Sequence, residues 1–340
     1  MSTTLVTINL VVHNGEKYIR QCLDSVKNQT YPGIEVNIWD NSSTDKTKEI
    51  IKTEFSEFRL TESQKNLGMW PAQEELLKNS RSEYVVVLSV DVILHPDFIK
   101  NAVEAMEQNE EIGALQAKVY KYELADGRPE KTDTIDTLGF EIYRSRRIVN
   151  VGHGEMDRPA AINRQPIEIF AVEGAVPVFR RQALEDCRLK SQNNRIVEPD
   201  FFWYGDDLDL AWRMRIFGWK QVYAPNVIAW HDRKTTKALA DSRWEFVKIR
   251  KTVPMFKRRL DWRNTTLTII KNDFTSNILR DLPHILWRQL QLWAYFLFFE
   301  PAMFIEVFNV AKMLPKMLKR RSEIMKKAKI SAKDFRQWIL

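Results

Sequence analysis

Hydrophobic positions in the first 120 residues alternate between two rhythms. Thr4–Val12 is β-branched and apolar, the pattern of a strand buried on both faces. Tyr18, Ile19, Cys22, Leu23 and Val26 then recur at helical spacing on one face. The turn Tyr31-Pro32-Gly33 precedes a second strand, Glu35–Trp39, which ends at Asp40. Ser43, Thr44 and Asp45 offer capping and first-turn acidic residues for a helix through Phe55. Tyr84–Leu88 is a third buried strand, ending near Asp91. This βαβα order predicts an α/β fold, a parallel sheet with helices on both faces. Ligands of such sheets bind beyond the carboxyl ends of the strands. His13-Asn14-Gly15, Asp40-Asn41 and Asp91 all fall at such ends.

The middle of the chain, from Ala114 to Val227, has a mixed pattern. Strands are predicted over Ile167–Val172 and Pro177–Arg180, around Glu173-Gly174-Ala175. Phe201–Gly218 opens with aromatics and carboxylates and continues as a helix. After His231 the character changes. Lys234–Trp262 is basic and helical in pattern. Ile285–Phe308 is rich in Leu, Trp, Tyr and Phe but is interrupted by Arg288, Glu300 and Pro301. Lys312–Lys329 holds eight basic residues and one acid, Glu323. A boundary is expected between Lys234 and Asp273.

Composition narrows the picture only a little. With 340 residues and 44% hydrophobic positions the chain can bury a sizeable core. A net charge of +7 suits a phosphate-bearing ligand, an anionic membrane or nucleic acid without choosing among them. Two cysteines, Cys22 and Cys187, make neither a disulfide framework nor a thiolate metal site, which fits a reducing cytosol. The N-terminal stretch lacks the features of a secretory signal. No run of about 18 apolar residues is present, so no conventional transmembrane helix is expected.

Three groups of residues carry candidate chemistry. Asp91, at a strand end, has the oxygen ligands that Mg²⁺ or Mn²⁺ prefers when it bridges two phosphates. The plainer reading of this segment is a turn or helix-cap aspartate ahead of Pro96-Asp97. Asp206, Asp207 and Asp209 pack three acids into four positions. Such crowding suits a cation or a proton-transfer task, because like charges repel. Phe201, Phe202, Trp203 and Tyr204 would wall that site and raise a carboxyl pKa, favouring a general base. An acidic helix N-terminus, favoured by the helix dipole, explains the same residues. His231, within Ala229-Trp230-His231-Asp232, is either a metal ligand or a structural histidine.

Longer motifs bring these groups under one pattern. Leu10-Val11-Val12-His13-Asn14-Gly15-Glu16-Lys17-Tyr18-Ile19 resembles the opening strand and turn of family 2 glycosyltransferases of the GT-A fold. Cys22–Val26 and Gln29-Thr30-Tyr31-Pro32 continue it. Asp40-Asn41-Ser42-Ser43-Thr44-Asp45 is similar to that family's aspartate and following turn, and Gln64-Lys65-Asn66-Leu67-Gly68 to its next nucleotide-side loop. Phe201–Leu210, with Arg213, Arg215 and Gly218, resembles its acceptor-side motif, and Tyr223-Ala224-Pro225 and His231 follow at similar spacing. The resemblance covers residues 4–235 and is closest to the rhamnosyltransferase-like branch of bacterial surface-polysaccharide assembly.

The resemblance implies a Rossmann-like, mostly parallel sheet in a catalytic domain of residues 1–235, with a helical region over 236–340. It implies an inverting transfer of a sugar, rhamnose in that branch, from a UDP- or dTDP-linked donor to a lipid-linked or other saccharide acceptor. Asp40 would contact the base, with Val11, His13, Asn14, Asn66 and Gly68 around the nucleotide. Asp91 and His231 would hold a divalent cation, Mg²⁺ or Mn²⁺. Asp207 would be the catalytic base and Asp206 its neighbour, with Gly174, Trp203 and Tyr204 on the acceptor side. The chain departs from the pattern in three places: Ser89 stands where an acid is usual, Asp206 replaces a glutamate, and Met69–Glu74 lacks a frequent asparagine. The loss at Ser89 keeps open a non-catalytic nucleotide-sugar-binding scaffold. Charge alone suggests a nucleic-acid binder, which leaves the acid cluster unexplained, so no nucleic-acid partner is expected. The aromatic, charge-broken segment and the basic run after it suit peripheral attachment to the anionic inner face of the cytoplasmic membrane. A homo-oligomer contact with a solvated basic helix explains them too.

Overall fold

All seven residues of the first strand, β1 (Val6–Val12), are buried, because it lies between two parallel neighbours with helices over it. The computed structural model describes residues 4–157, 165–233 and 243–340. After β1 come α1 (Ile19–Lys27), β2 (Ile34–Asp40), α2 (Thr47–Glu54), β3 (Arg59–Glu62), α3 (Met69–Lys78), β4 (Tyr84–Leu88), β5 (Val92–Leu94) and α4 (Phe98–Glu107). The apolar stripe read on α1 is buried at Ile19, Cys22, Leu23 and Val26.

A long hairpin follows, β6 (Ile112–Ala125) and β7 (Arg128–Thr137), turning at Asp126-Gly127 with both residues at positive φ. That two-residue turn matches the strands' right-handed twist. Next are β8 (Phe140–Ile142), β9 (Ile148–Asn150), β10 (Ile167–Glu168), β11 (Val178–Arg180), α5 (Arg181–Asp186), α6 (Asp206–Ile216) and β12 (Lys220–His231). The main sheet runs β10-β12-β6-β11-β4-β1-β2-β3. Pairs among β4, β1, β2 and β3 are parallel, as is β12 with β6, and β11 joins the two blocks antiparallel to both. The parallel block β4-β1-β2-β3 is the one the pattern predicted, and the antiparallel β11 makes the whole sheet mixed.

The capping assignment for α2 is corrected. Ser43 Oγ accepts from the Asn14 N–H at 2.9 Å, and the Thr44 N–H donates to Asn14 Oδ1 at 2.8 Å. These residues therefore fix the turn after β1. Asp45 alone serves the helix, its Oδ1 accepting from the Thr47 N–H at 3.0 Å.

The C-terminal region contains α7 (Arg243–Thr252), α8 (Met255–Asn272), α9 (Thr275–Arg280), α10 (Leu282–Phe299), α11 (Phe304–Lys327) and α12 (Ala332–Phe335). The expected helix over Lys234–Trp262 is divided at Val253-Pro254, where proline fixes an extended backbone; residues 234–242 lie outside the described residues. This region shares a core with the preceding domain. Phe335 stacks on Trp212 of α6 at 5.7 Å, and Leu340 pairs with Ile142 of β8. A buried ionic cluster adds to the join: Lys271 Nζ lies 2.7 Å from Asp209 and 3.0 Å from Glu198, and Arg320 pairs with Glu198 and Asp200.

The basic run Lys312–Lys329 is therefore not one solvated face. Arg320 is buried, Arg321 donates to the Ile270 carbonyl, and Lys327 donates to the carbonyls of Asp186 and Arg188. Lys312, Lys316, Lys319 and Lys326 remain exposed. No helix of the described residues is long and apolar enough to cross a membrane.

Candidate active site

The carboxyl ends of β1 and β2 converge on one pocket wall. His13 Nδ1 is 3.0 Å from the Asn41 carbonyl, and Asn14 takes φ 53° in the tight turn there. Asn41 reaches across to brace the next loop: its amide donates to Asn66 Oδ1 and to the Gly68 carbonyl, and its oxygen accepts from the Leu67 N–H. Gly68 needs its φ of 86°, and a Cβ there would lie 3.0 Å from the Phe202 carbonyl. Asp40 is fully buried; Oδ2 accepts from the Ser43 N–H at 3.1 Å, while Oδ1 has no partner. An unsatisfied buried acceptor is costly unless something fills it. Val11, within β1, packs its side chain with Ala72 and Leu76.

Asp91 and His231, 140 positions apart in the chain, meet at 3.3 Å (Asp91 Oδ2 to His231 Nε2). Strand β5 carries the chain from Asp91 onto β12, where Val92 pairs with His231. The other ring nitrogen of His231, Nδ1, lies 2.9 Å from Asp136 Oδ2. Burial lowers the pKa of His231, but Asp91 and Asp136 more than reverse this and push it up to about 10. Burial raises the Asp91 carboxyl, and His231 outweighs that and holds it below the usual range.

Arg233 continues the chain of charges. It pairs with Asp136 at 2.9 Å and with Glu173 at 2.6 Å. The next residue, Gly174, donates its N–H to Asp207 Oδ2 at 3.1 Å. A Cβ on Gly174 would lie 2.9 Å from that oxygen, so the glycine permits the contact. Asp207 Oδ1 accepts from the Leu208 N–H, and Asp206 Oδ1 from the Asp207 N–H, at the first turn of α6. Burial, then the charges of Asp206 and Glu173, raise the Asp207 carboxyl; burial and then Asp209 raise Asp206. A half-buried carboxylate held up in this way is suited to accept a proton near neutral pH. The two sequence-read groups, Asp91 with His231 and Asp206 with Asp207, are thus brought to one end of the sheet, linked through Asp136, Arg233 and Glu173.

The third acid does not join them. Asp209 turns away to Lys271, Asn272 and Arg213, which outweigh burial and hold its carboxyl below the usual range. The aromatic wall is built jointly with α8. Asn264 donates to the carbonyls of Trp203 and Tyr204, and Lys257 Nζ lies 4.7 Å from the Trp203 ring centre. Asp136, Arg233 and Lys257 were not found by sequence reasoning.

A divalent cation is compatible with this donor set. Asp91 and His231 would supply one carboxylate and one imidazole, and with Nδ1 turned to a carboxylate, Nε2 would be the nitrogen left to a cation. Among the described residues no group of three or more His, Cys, Asp or Glu is arranged to hold a metal. Two protein ligands suit a cation that takes its remaining oxygens from phosphates and water.

Comparison with known proteins bears on the family and the fold. The family described as glycosyl transferase family 2 matches residues 7–186, more than half of the chain. A poly-beta-1,6-N-acetyl-D-glucosamine synthase from Staphylococcus epidermidis is 22% identical over 278 residues, which cover 80% of this chain and 57% of that protein. The chain therefore spans little more than half the length of that relative. Among solved structures, S. aureus TarS 1-349 in complex with UDP superimposes with a TM-score of 0.54 at 15% identity, covering 98% of this chain and 91% of that one. The mannosyltransferase PcManGT from Pyrobaculum calidifontis, in complex with GDP-Man and Mn²⁺, gives 0.53 at 17% identity over 96% of this chain and 86% of the other.

Proposed function

The chain belongs to glycosyltransferase family 2 and has the GT-A fold, and on that premise we propose that it is an inverting, cation-assisted transferase acting from a nucleoside-diphosphate sugar. The observation that carries this reading is the position of Asp207. Its carboxylate is seated on the Gly174 N–H and linked, through Glu173, Arg233 and Asp136, to the Asp91–His231 pair.

Asp207 takes the proton of an acceptor hydroxyl as its oxygen attacks the anomeric carbon. The new C–O bond forms as the bond to phosphate breaks, and the nucleoside diphosphate leaves with the electron pair. One displacement inverts the anomeric centre. Asp206 keeps Asp207 basic by its charge. Asp40, with its unpartnered Oδ1, would receive a donor group of the base, and the His13–Asn14 and Asn66–Gly68 segments would line the nucleotide. Asp91 and His231 would hold Mg²⁺ or Mn²⁺, which when bound neutralises the departing diphosphate. Gly174, Trp203 and Tyr204 would receive the acceptor.

The finer assignments rest on motif resemblance and on the character of the tail. They are a rhamnosyl donor on UDP or dTDP and a lipid-linked saccharide acceptor in cell-surface glycan synthesis. With them goes a cytoplasmic enzyme, peripheral on the inner membrane face. The relatives named above concern N-acetylglucosamine and mannose, so the donor is the first thing to test. Incubating the protein with a panel of nucleotide sugars and Mn²⁺ should release nucleoside diphosphate from one class of donor. Binding of a donor without release under any condition would instead support the scaffold reading that Ser89 leaves open.

A further inference from the structure

Helix α10 carries an apolar face that the other described residues leave exposed. Leu286, Trp287, Leu290, Trp293, Leu297 and Phe298 are all exposed, Trp287 by 63% and Phe298 by 75%. Of the helix's 18 residues only Phe296 is buried. Beyond the turn at Pro301, Ile305 and Phe308 extend the same kind of surface onto α11. Contiguous exposed apolar area of this extent marks an interaction site.

The placement of charge selects the occupant. Between Leu282 and Lys319 the sequence has two acids, Glu300 and Glu306. Both are buried, exposed by 1% and 3%. Glu300 is held by Arg250 and Arg258, and Glu306 by Arg259 at 2.6 Å. The stretch consequently puts no acidic side chain of its own on the surface, while Lys312 and Lys319 stand exposed beside it and Lys316, also exposed, pairs with Asp200. Turning every acid inward and leaving lysines outward gives a face that attracts an anionic plane. Trp287 and Trp293 fit the same plane, since indole prefers the boundary between apolar and polar layers. The helix is not apolar enough to span a bilayer. Lying in the interface is the arrangement open to such a helix.

We propose that α10 and the first turns of α11 form a docking face for an anionic lipid bilayer, inserted parallel to its surface. The assignment also relocates the contact: the apolar side of α10 carries it, with the exposed lysines as auxiliaries, because Arg320 is buried in an ionic cluster and Arg321 and Lys327 are tied to backbone carbonyls of the fold. It rests on the membrane-bound acceptor of the reading above for its purpose only, and its test does not require turnover.

The full chain would be floated with vesicles of pure phosphatidylglycerol and of pure phosphatidylcholine. Its tryptophan emission would be followed with brominated phosphatidylglycerol. The variant Trp287→Gln/Leu290→Gln/Phe298→Gln changes exposed positions, and size-exclusion chromatography reads its folding and assembly. Wild type should float with phosphatidylglycerol, more weakly with phosphatidylcholine, and be quenched by the brominated lipid. The variant should partition at least about ten-fold less, with nucleotide release from the donor unchanged. Failure of wild type to float or to be quenched overturns the proposal. So does equal flotation of the variant, or a loss of self-association in the variant without a loss of flotation, which would make the face a contact between copies of this chain. Loss of nucleotide release with flotation intact would fail the catalytic reading alone.

Discussion

Asp136 holds one carboxylate oxygen 2.9 Å from Nδ1 of His231, and so determines which ring nitrogen faces Asp91. A carboxylate behind a ligating histidine fixes its tautomer and raises its basicity, and losing such a partner costs roughly 10- to 100-fold in metal affinity. Asp136→Asn keeps the shape and removes the charge. It should weaken Mn²⁺ binding in the presence of nucleoside diphosphate by that order, measured by electron paramagnetic resonance. A folded Asp136→Asn protein with unchanged Mn²⁺ affinity would show that His231 is aimed by its strand alone.

Lys271 neutralises both Asp209 and Glu198 in a site closed to water. Removing one partner of a buried pair strands the other charges, at a cost of about 3–5 kcal/mol. Lys271→Met should therefore lower the unfolding free energy by that order in denaturant titration, with the pKa-tuned pair Asp206–Asp207 left in place. A loss of activity with stability unchanged would mean that Asp209 has a part in the chemistry.

The acid limb of the pH–rate profile should lie above the ordinary aspartate range, because Asp207 must be ionised to act and its carboxyl is raised by burial and by Asp206. Asp206→Asn removes a like charge and makes ionisation of Asp207 easier. The limb of kcat/KM should then move to lower pH. Movement to higher pH, or none, would show that Asp206 and Asp207 do not share one site.

Much of this was legible in the sequence, for identifiable reasons. Strands β1 and β4 are buried on both faces, so each reads as a largely apolar, β-branched run, and the candidate site residues sit at their ends. Strand β3 was missed because it is a short, largely exposed edge with no such run. The β6–β7 hairpin was missed although Asp126-Gly127 is a strong turn signal. Asp136 has no local pattern at all; its partner lies 95 positions away. Lys257 looked like a member of a basic helix and Lys271 fell in the stretch between elements, and only the fold turns the first to the aromatic wall and buries the second. Asp209 was grouped with Asp206 and Asp207 by proximity in sequence. Two helical steps from Asp207 rotate it by about 200°, onto the opposite side of α6.

The central claim is that Asp207 removes the proton from the acceptor. The measurement that bears on it most directly is turnover of Asp207→Asn beside wild type, on the donor class found in the screen, with donor affinity read by calorimetry. General-base catalysis contributes on the order of 10²- to 10⁴-fold. The account predicts a loss of that size in kcat with donor affinity unchanged, since the carboxylate acts on the acceptor. Near wild-type turnover by Asp207→Asn would contradict it.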